Sequence, residues 1–136
     1  QLIIRDSLLL QDCFVAGASY KHLTVSPITL DLINEHPLLL LEQGSNTRSY
    51  IDHYAKQQGV ILEPDIELGS IDLLIEFART GLGIACVIKN FVTAELEEAS
   101  LYEVQLDPPI PPRRVGVVTL KNVPISVATG RFIEML

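Results

Sequence analysis

A strand-like apolar run, a turn of small polar residues and an amphipathic helix occur twice in succession, and this repeated unit leaves few folds open. Leu38 to Glu42 is almost continuously apolar, as in a strand covered on both faces. Gly44-Ser45-Asn46-Thr47-Arg48 then makes a turn, and Tyr50, Ile51, Tyr54 and Ala55 recur along one helical face. Gly59 stands where a left-handed residue closes a helix. The unit returns as Pro64 to Leu68, then Gly69-Ser70, then a helix whose core stripe is Leu73, Leu74, Phe77 and Ala78. Asp72 falls in that helix's first turn, where negative charge suits the macrodipole. Gly81-Leu82-Gly83 ends it, and Ile84 to Ile88 is a further buried strand.

The remaining segments fit around these units. Leu8 to Ala16 reads as one strand, and Thr29 to His36 as a short helix stopped by Pro37. A helix is expected from Asn90 to Ala99, with Glu95, Glu97 and Glu98 on a solvated face, then a strand from Leu101 to Leu106. Asp107-Pro108-Pro109-Ile110-Pro111-Pro112 is a stiff connector, since each proline fixes φ and removes a donor. Arg114 to Leu120 is a last strand, and Ser126 caps a final helix with Ala128, Phe132, Met135 and Leu136 on its apolar face. Strands alternating with helices predict α/β architecture, with a mixed, mostly parallel sheet flanked by helices.

Composition excludes several roles. With 136 residues, 48% hydrophobic and only 20% charged, the chain has material for a real core and is not disordered. Its balance of 10 basic against 17 acidic residues, net −7, argues against a surface that grips duplex DNA. No apolar stretch approaches the roughly 20 residues that span a bilayer, and nothing at the start reads as a signal peptide. The first residue is Gln1 rather than Met, which suggests a piece lacking its natural amino-terminal part. Cys13 and Cys86 lie in apolar strand-like runs and read as reduced core cysteines, with no Cys-x-x-Cys to suggest zinc.

No enzyme signature is present. Gly-x-Ser-x-Gly, His-Glu-x-x-His, Walker and Gly-x-Gly-x-x-Gly patterns are all missing, and His22, His36 and His53 lack metal-ligand spacing. No catalytic residue, metal ligand or cofactor is therefore expected. The two strand-to-helix turns remain. In open α/β sheets such turns lie at the carboxyl ends of strands, where ligands bind. Unpaired N–H groups at a helix start favour an anion. The plainer account of Ser45 or Asn46, and of Ser70, is an N-cap worth about 1 kcal/mol.

The stretch from Pro37 through Leu-Leu-Leu-Leu-Glu-Gln-Gly-Ser-Asn-Thr to Arg48, followed by Glu67 through Leu-Gly-Ser-Ile-Asp to Ala85, resembles the effector-binding domain of LysR-type transcriptional regulators. The Leu101 strand, the Pro-rich segment with Arg113-Arg114, and Ser126 to Leu136 match that family's closing pattern, so the resemblance covers nearly the whole chain. It implies a lobe like those of type 2 periplasmic binding proteins, which have two α/β lobes, two crossovers and an effector in the cleft. Residues 1–113 would supply the second lobe, and residues 114–136 the returning strand and helix of the first. The family's effector contacts would fall on Gly44, Ser45, Asn46 and Thr47, and on Gly69 and Ser70.

The resemblance further implies a cytoplasmic, ligand-sensing, non-enzymatic domain. Its partners would be a small anionic metabolite and other copies of itself, through lobe–lobe contacts. DNA would be touched only by an amino-terminal helix-turn-helix outside this chain. The missing half of the cleft would leave effector binding by this piece weak. A solute-binding protein of a transport system, with the same fold, is the alternative.

Overall fold

The computed structural model describes residues 3–120. Within these described residues, seven strands form two sheets. β1 (Ile3–Leu10) and β7 (Arg113–Leu120) make an antiparallel two-stranded ribbon. The other sheet has the order β4-β3-β5-β2-β6, built from β2 (Asp12–Ala16), β3 (Leu38–Leu41), β4 (Ile66–Leu68), β5 (Ile84–Ile88) and β6 (Tyr102–Val104). β3 runs parallel to both β4 and β5, whereas β2 runs antiparallel to β5 and β6. The sheet is thus mixed and helix-flanked, as the sequence predicts, but its pairings divide evenly instead of being mostly parallel. β2 looks like a buried parallel strand in sequence because it is buried along its whole length although its pairings are antiparallel.

The apolar runs alternate between two cores. Phe14, Leu38, Leu40, Ile84 and Cys86 point to one face, where α1 (Leu30–Ile33) adds Leu30 and Ile33, and α2 (Asn46–Gln57) adds Ile51, Tyr54 and Ala55. Cys13, Val15, Leu39, Leu41, Ala85 and Val87 point to the other, under Leu74 and Ala78 of α3 (Ile71–Arg79). This two-residue alternation is what a pleated strand requires. It sends Cys13 and Cys86 to opposite faces, so the two thiols cannot pair with each other. Each fully buried leucine of β3 contributes about 1.5–3 kcal/mol.

Several boundaries differ from the sequence expectation. Leu8 to Ala16 is not one strand: it divides at Gln11, where the chain passes from ribbon to sheet. Leu10 faces Arg113 in the ribbon, while Asp12 faces Ile88 in the sheet. Gln11 makes the passage by bonding both ways. Its carbonyl accepts from the Lys89 N–H at 2.7 Å, and its Nε2 donates to the Ile110 carbonyl at 2.9 Å. Residues 3–10 therefore pair with β7 and not with the five-stranded sheet. The helix expected from Asn90 to Ala99 is a 3-10 turn (Lys89–Phe91) and a short α4 (Thr93–Glu97), because Val92 is buried against the second core between them. Gly81 takes the left-handed conformation that ends α3 (φ +88°). Gly83 serves a different need, since a Cβ there would lie 2.5 Å from the Pro37 carbonyl oxygen. The final helix expected from Ser126 lies outside the described residues.

Candidate functional site

Parallel pairing brings the two polar turns together. Leu41 and Leu68, the last residues of β3 and β4, are partners, and the Glu42 N–H donates to the Leu68 carbonyl at 2.9 Å. Gly44-Ser45-Asn46-Thr47 and Gly69-Ser70 therefore stand side by side at the carboxyl edge of the sheet. Both serines cap helices. Ser45 Oγ accepts from the Arg48 N–H at 3.0 Å and Ser70 Oγ from the Leu73 N–H at 3.3 Å. Gly44 has φ +104°, a conformation that side chains disfavour. Gly69 lies close under the Glu42 carboxylate, which a Cβ would approach to 3.1 Å. Asn46 is exposed.

Thr47 differs from the other five residues. It is buried, and its Oγ1 accepts a hydrogen bond from Arg113 Nη2 at 3.0 Å. Arg113 opens β7 and bonds the fully buried Asp12 with both arms, Nε to Oδ2 at 2.8 Å and Nη2 to Oδ1 at 3.1 Å. Its guanidinium lies 5.0 Å from the centroid of the Tyr50 ring, within cation–π range. The Tyr50 hydroxyl donates to the Pro111 carbonyl at 2.6 Å, and the Tyr54 hydroxyl to the Pro108 carbonyl at 2.6 Å. Burial, then the Asp12 carboxylate, raises the Tyr50 phenol above its ordinary pKa, against a smaller opposing pull from Arg113. Sequence reasoning missed Asp12, Tyr50 and Arg113. The available signal was one aspartate inside an apolar run, answered by an arginine next to a proline connector.

Arg48 is also held in place. Its Nε donates to both Asp52 oxygens at 3.0 and 3.1 Å, and its Nη1 to the Leu41 carbonyl at 3.0 Å and Glu67 at 2.9 Å. It ties α2, β3 and β4 together behind the turns. Elsewhere at this edge a cavity of about 270 Å³ lies beside β2 and β6, lined in part by Gln11, Asp12, Cys13, Lys89 and Glu103. Lys89 and Glu103 pair across it at 2.9 Å, and that hydrogen bond raises the lysine pKa. The histidines are dispersed: His36 packs edge-on against Tyr20, and His53 contacts Gln57. Among the described residues no three metal-ligating side chains converge, and no helix is long and apolar enough to cross a membrane.

A helix-covered mixed sheet, carried on a two-stranded ribbon and displaying paired strand-to-helix turns, is one lobe of a type 2 periplasmic-binding-protein-like effector domain. The chain belongs to the LysR substrate binding domain family, whose model matches residues 5–136. An uncharacterized HTH-type transcriptional regulator of Escherichia coli K12, YeiE, is 28% identical over 132 residues, covering 97% of this chain and 45% of that protein. The regulatory domain of Synechocystis PCC6803 CcmR, solved in complex with 2-PG, superposes with a TM-score of 0.73 at 22% identity, over 97% of this chain and 64% of that one. The effector-binding domain of QuiR, solved with shikimate, gives a TM-score of 0.69 at 17% identity, over 98% and 63%. The chain thus spans under half of its full-length relative and under two thirds of the solved domains.

Proposed function

We propose that this chain is the larger part of the effector-sensing domain of a bacterial transcriptional regulator, and that a small anionic metabolite binds against Gly44, Ser45, Asn46 and Thr47 and against Gly69 and Ser70. The observation that carries the reading is the pairing of two helix amino termini on adjacent parallel strands. Both offer N–H groups beside small side chains, and adjacent positive dipole ends favour one anion over a cation. The five-stranded sheet is then the second lobe, and β1 with β7 the two crossovers. The domain senses and does not catalyse, and it works in the cytoplasm. DNA is contacted by an amino-terminal helix-turn-helix elsewhere in the regulator, and coupling between ligand and DNA is worth about 1–3 kcal/mol. Copies associate through lobe contacts, for which the exposed Leu73 and Leu82 on and after α3 provide apolar surface.

Asn46→Asp in the full-length regulator tests the site. The new charge at a helix start is neutral or favourable for the fold but repels an anion from the turn. Small anionic metabolites are first screened for thermal stabilisation of the regulator. The variant is expected to keep its melting temperature and DNA affinity while losing the response to whichever anion stabilises the parent. An unchanged response would remove the turns from the site, and a response only to cations or neutral compounds would overturn the anion reading. Secretion of the natural protein, with solute uptake lost on its deletion, would favour the transport alternative.

A further inference from the structure

We propose that Arg113 is a positioning residue that ties the turn at the start of α2 to both crossover strands, so that a change at Thr47 is felt in the ribbon. The proposal rests on the effector-site reading only for the meaning of the turn, since the linkage itself is drawn from contacts within this chain. Three elements distant in sequence meet on one guanidinium. Thr47 belongs to the turn, Asp12 to the chain just after its incoming passage into the sheet, and Arg113 to the outgoing one. Asp12 is 1% and Thr47 3% exposed, so water does not offer substitute partners for either. A planar guanidinium can hold a carboxylate and a hydroxyl together, whereas an ammonium is a single point donor group.

The surroundings restrict Arg113 to this geometry. The Tyr50 ring lies against its guanidinium, and the Tyr50 hydroxyl holds the Pro111 carbonyl two residues before it. Gln11 bonds the Ile110 carbonyl, and Tyr54 that of Pro108. The connector is thereby fixed to α2 at Pro108 and Pro111 and to Gln11 at Ile110, and α2 begins at the turn. A shift of the Thr47 hydroxyl that takes it out of hydrogen-bond range, by about 0.5 Å or more, has two outcomes. It breaks the bond to Arg113, or it drags the guanidinium and Asp12 with it. In both, the two crossovers respond jointly, because Leu10 and Arg113 are partners in the ribbon.

Hydrogen exchange on the ligand-free, full-length regulator tests the linkage. Thr47→Val removes the acceptor and keeps the side-chain volume. With Arg113 present, amides in peptides covering residues 8–12 and 110–116 are expected to exchange about fivefold faster, the equivalent of one ordinary hydrogen bond's net contribution. In an Arg113→Lys background, which keeps the charge opposite Asp12 but lacks the fork, Thr47→Val should add nothing. A purely structural Arg113 would change exchange on its own but would not make the effect of Thr47 depend on it. If Arg113→Lys does not fold, Arg113→Met combined with Asp12→Asn, which leaves no unpaired charge, serves as the background. Unchanged exchange after Thr47→Val, or the same acceleration in both backgrounds, would overturn the proposal. Since no ligand is added, failure of the effector assay leaves this result intact, and failure here says nothing against effector binding.

Discussion

Replacing Arg48 by methionine measures how the carboxyl edge is held beneath the two turns. The side chain is 5% exposed, but its carboxylate partners Asp52 and Glu67 are 39% and 44% exposed, so water recovers them when the cation is lost. Each of those pairs is therefore worth only about 0.2–1 kcal/mol, far below the cost of stranding a buried ion. The Leu41 carbonyl is different, because it closes β3 inside the core and loses a charged donor, at about 1–3 kcal/mol. Methionine fills most of the space of the aliphatic stem, so little cavity is added. The expected loss is about 2–3 kcal/mol, seen as a urea midpoint lower by about 1–2 M with an unchanged slope. Glu67→Gln and Asp52→Asn, measured alongside by circular dichroism, should each cost less than about 1 kcal/mol. If Arg48→Met shifts the midpoint no further than Glu67→Gln, the carbonyl does not depend on Arg48. The residue would then be free to serve a ligand.

Gly83→Ala should destabilise by about 3 kcal/mol in the same assay, because its methyl would collide with the Pro37 backbone and weaken the Ile84 N–H bond to that carbonyl at 2.8 Å; a neutral result would mean that β3 and β5 can separate there freely. Cys13 and Cys86 should resist iodoacetamide in the native protein and react in urea, since burial raises both thiols well above their ordinary pKa. Labelling of the native form within minutes would contradict that packing. Stability should fall as pH rises past the ordinary tyrosine value of about 10, because burial first, then carboxylates near each ring, raise Tyr50 and Tyr54 in the fold. Groups raised in the native state contribute below their unfolded pKa and lose that contribution above it. Phenylalanine at both positions should flatten the alkaline limb, and an unaltered limb would contradict the assignment.

The strand-to-helix turns were legible because their causes are local. A serine cap lies three residues before the N–H it satisfies, and the helical stripe begins within one turn of it. Their neighbourhood was not legible. Gln11 and Ile110 are 99 residues apart, and Asp12 and Arg113 are 101 apart. Nothing beside Asp12 says that a charge can be buried there, because its partner is supplied by the other end of the chain. The same limit explains the strand drawn through Gln11: Leu8 to Ala16 is one apolar run, and periodicity cannot say that its halves join different sheets. The expected helix from Asn90 failed for a tertiary reason, since Val92 leaves the helical path to reach the second core.

The pairing of Leu10 with Arg113 places both ends of the five-stranded body at one point of a two-stranded ribbon, about 5.5 Å or less apart. In genetic terms the whole body is an insertion at a hairpin position. A host that already carries such a ribbon can accept, lose or exchange it without rerouting its own chain. An equivalent body could therefore be exchanged as a cassette between those two residues, and this one could equally be grafted into a loop of an unrelated reporter protein.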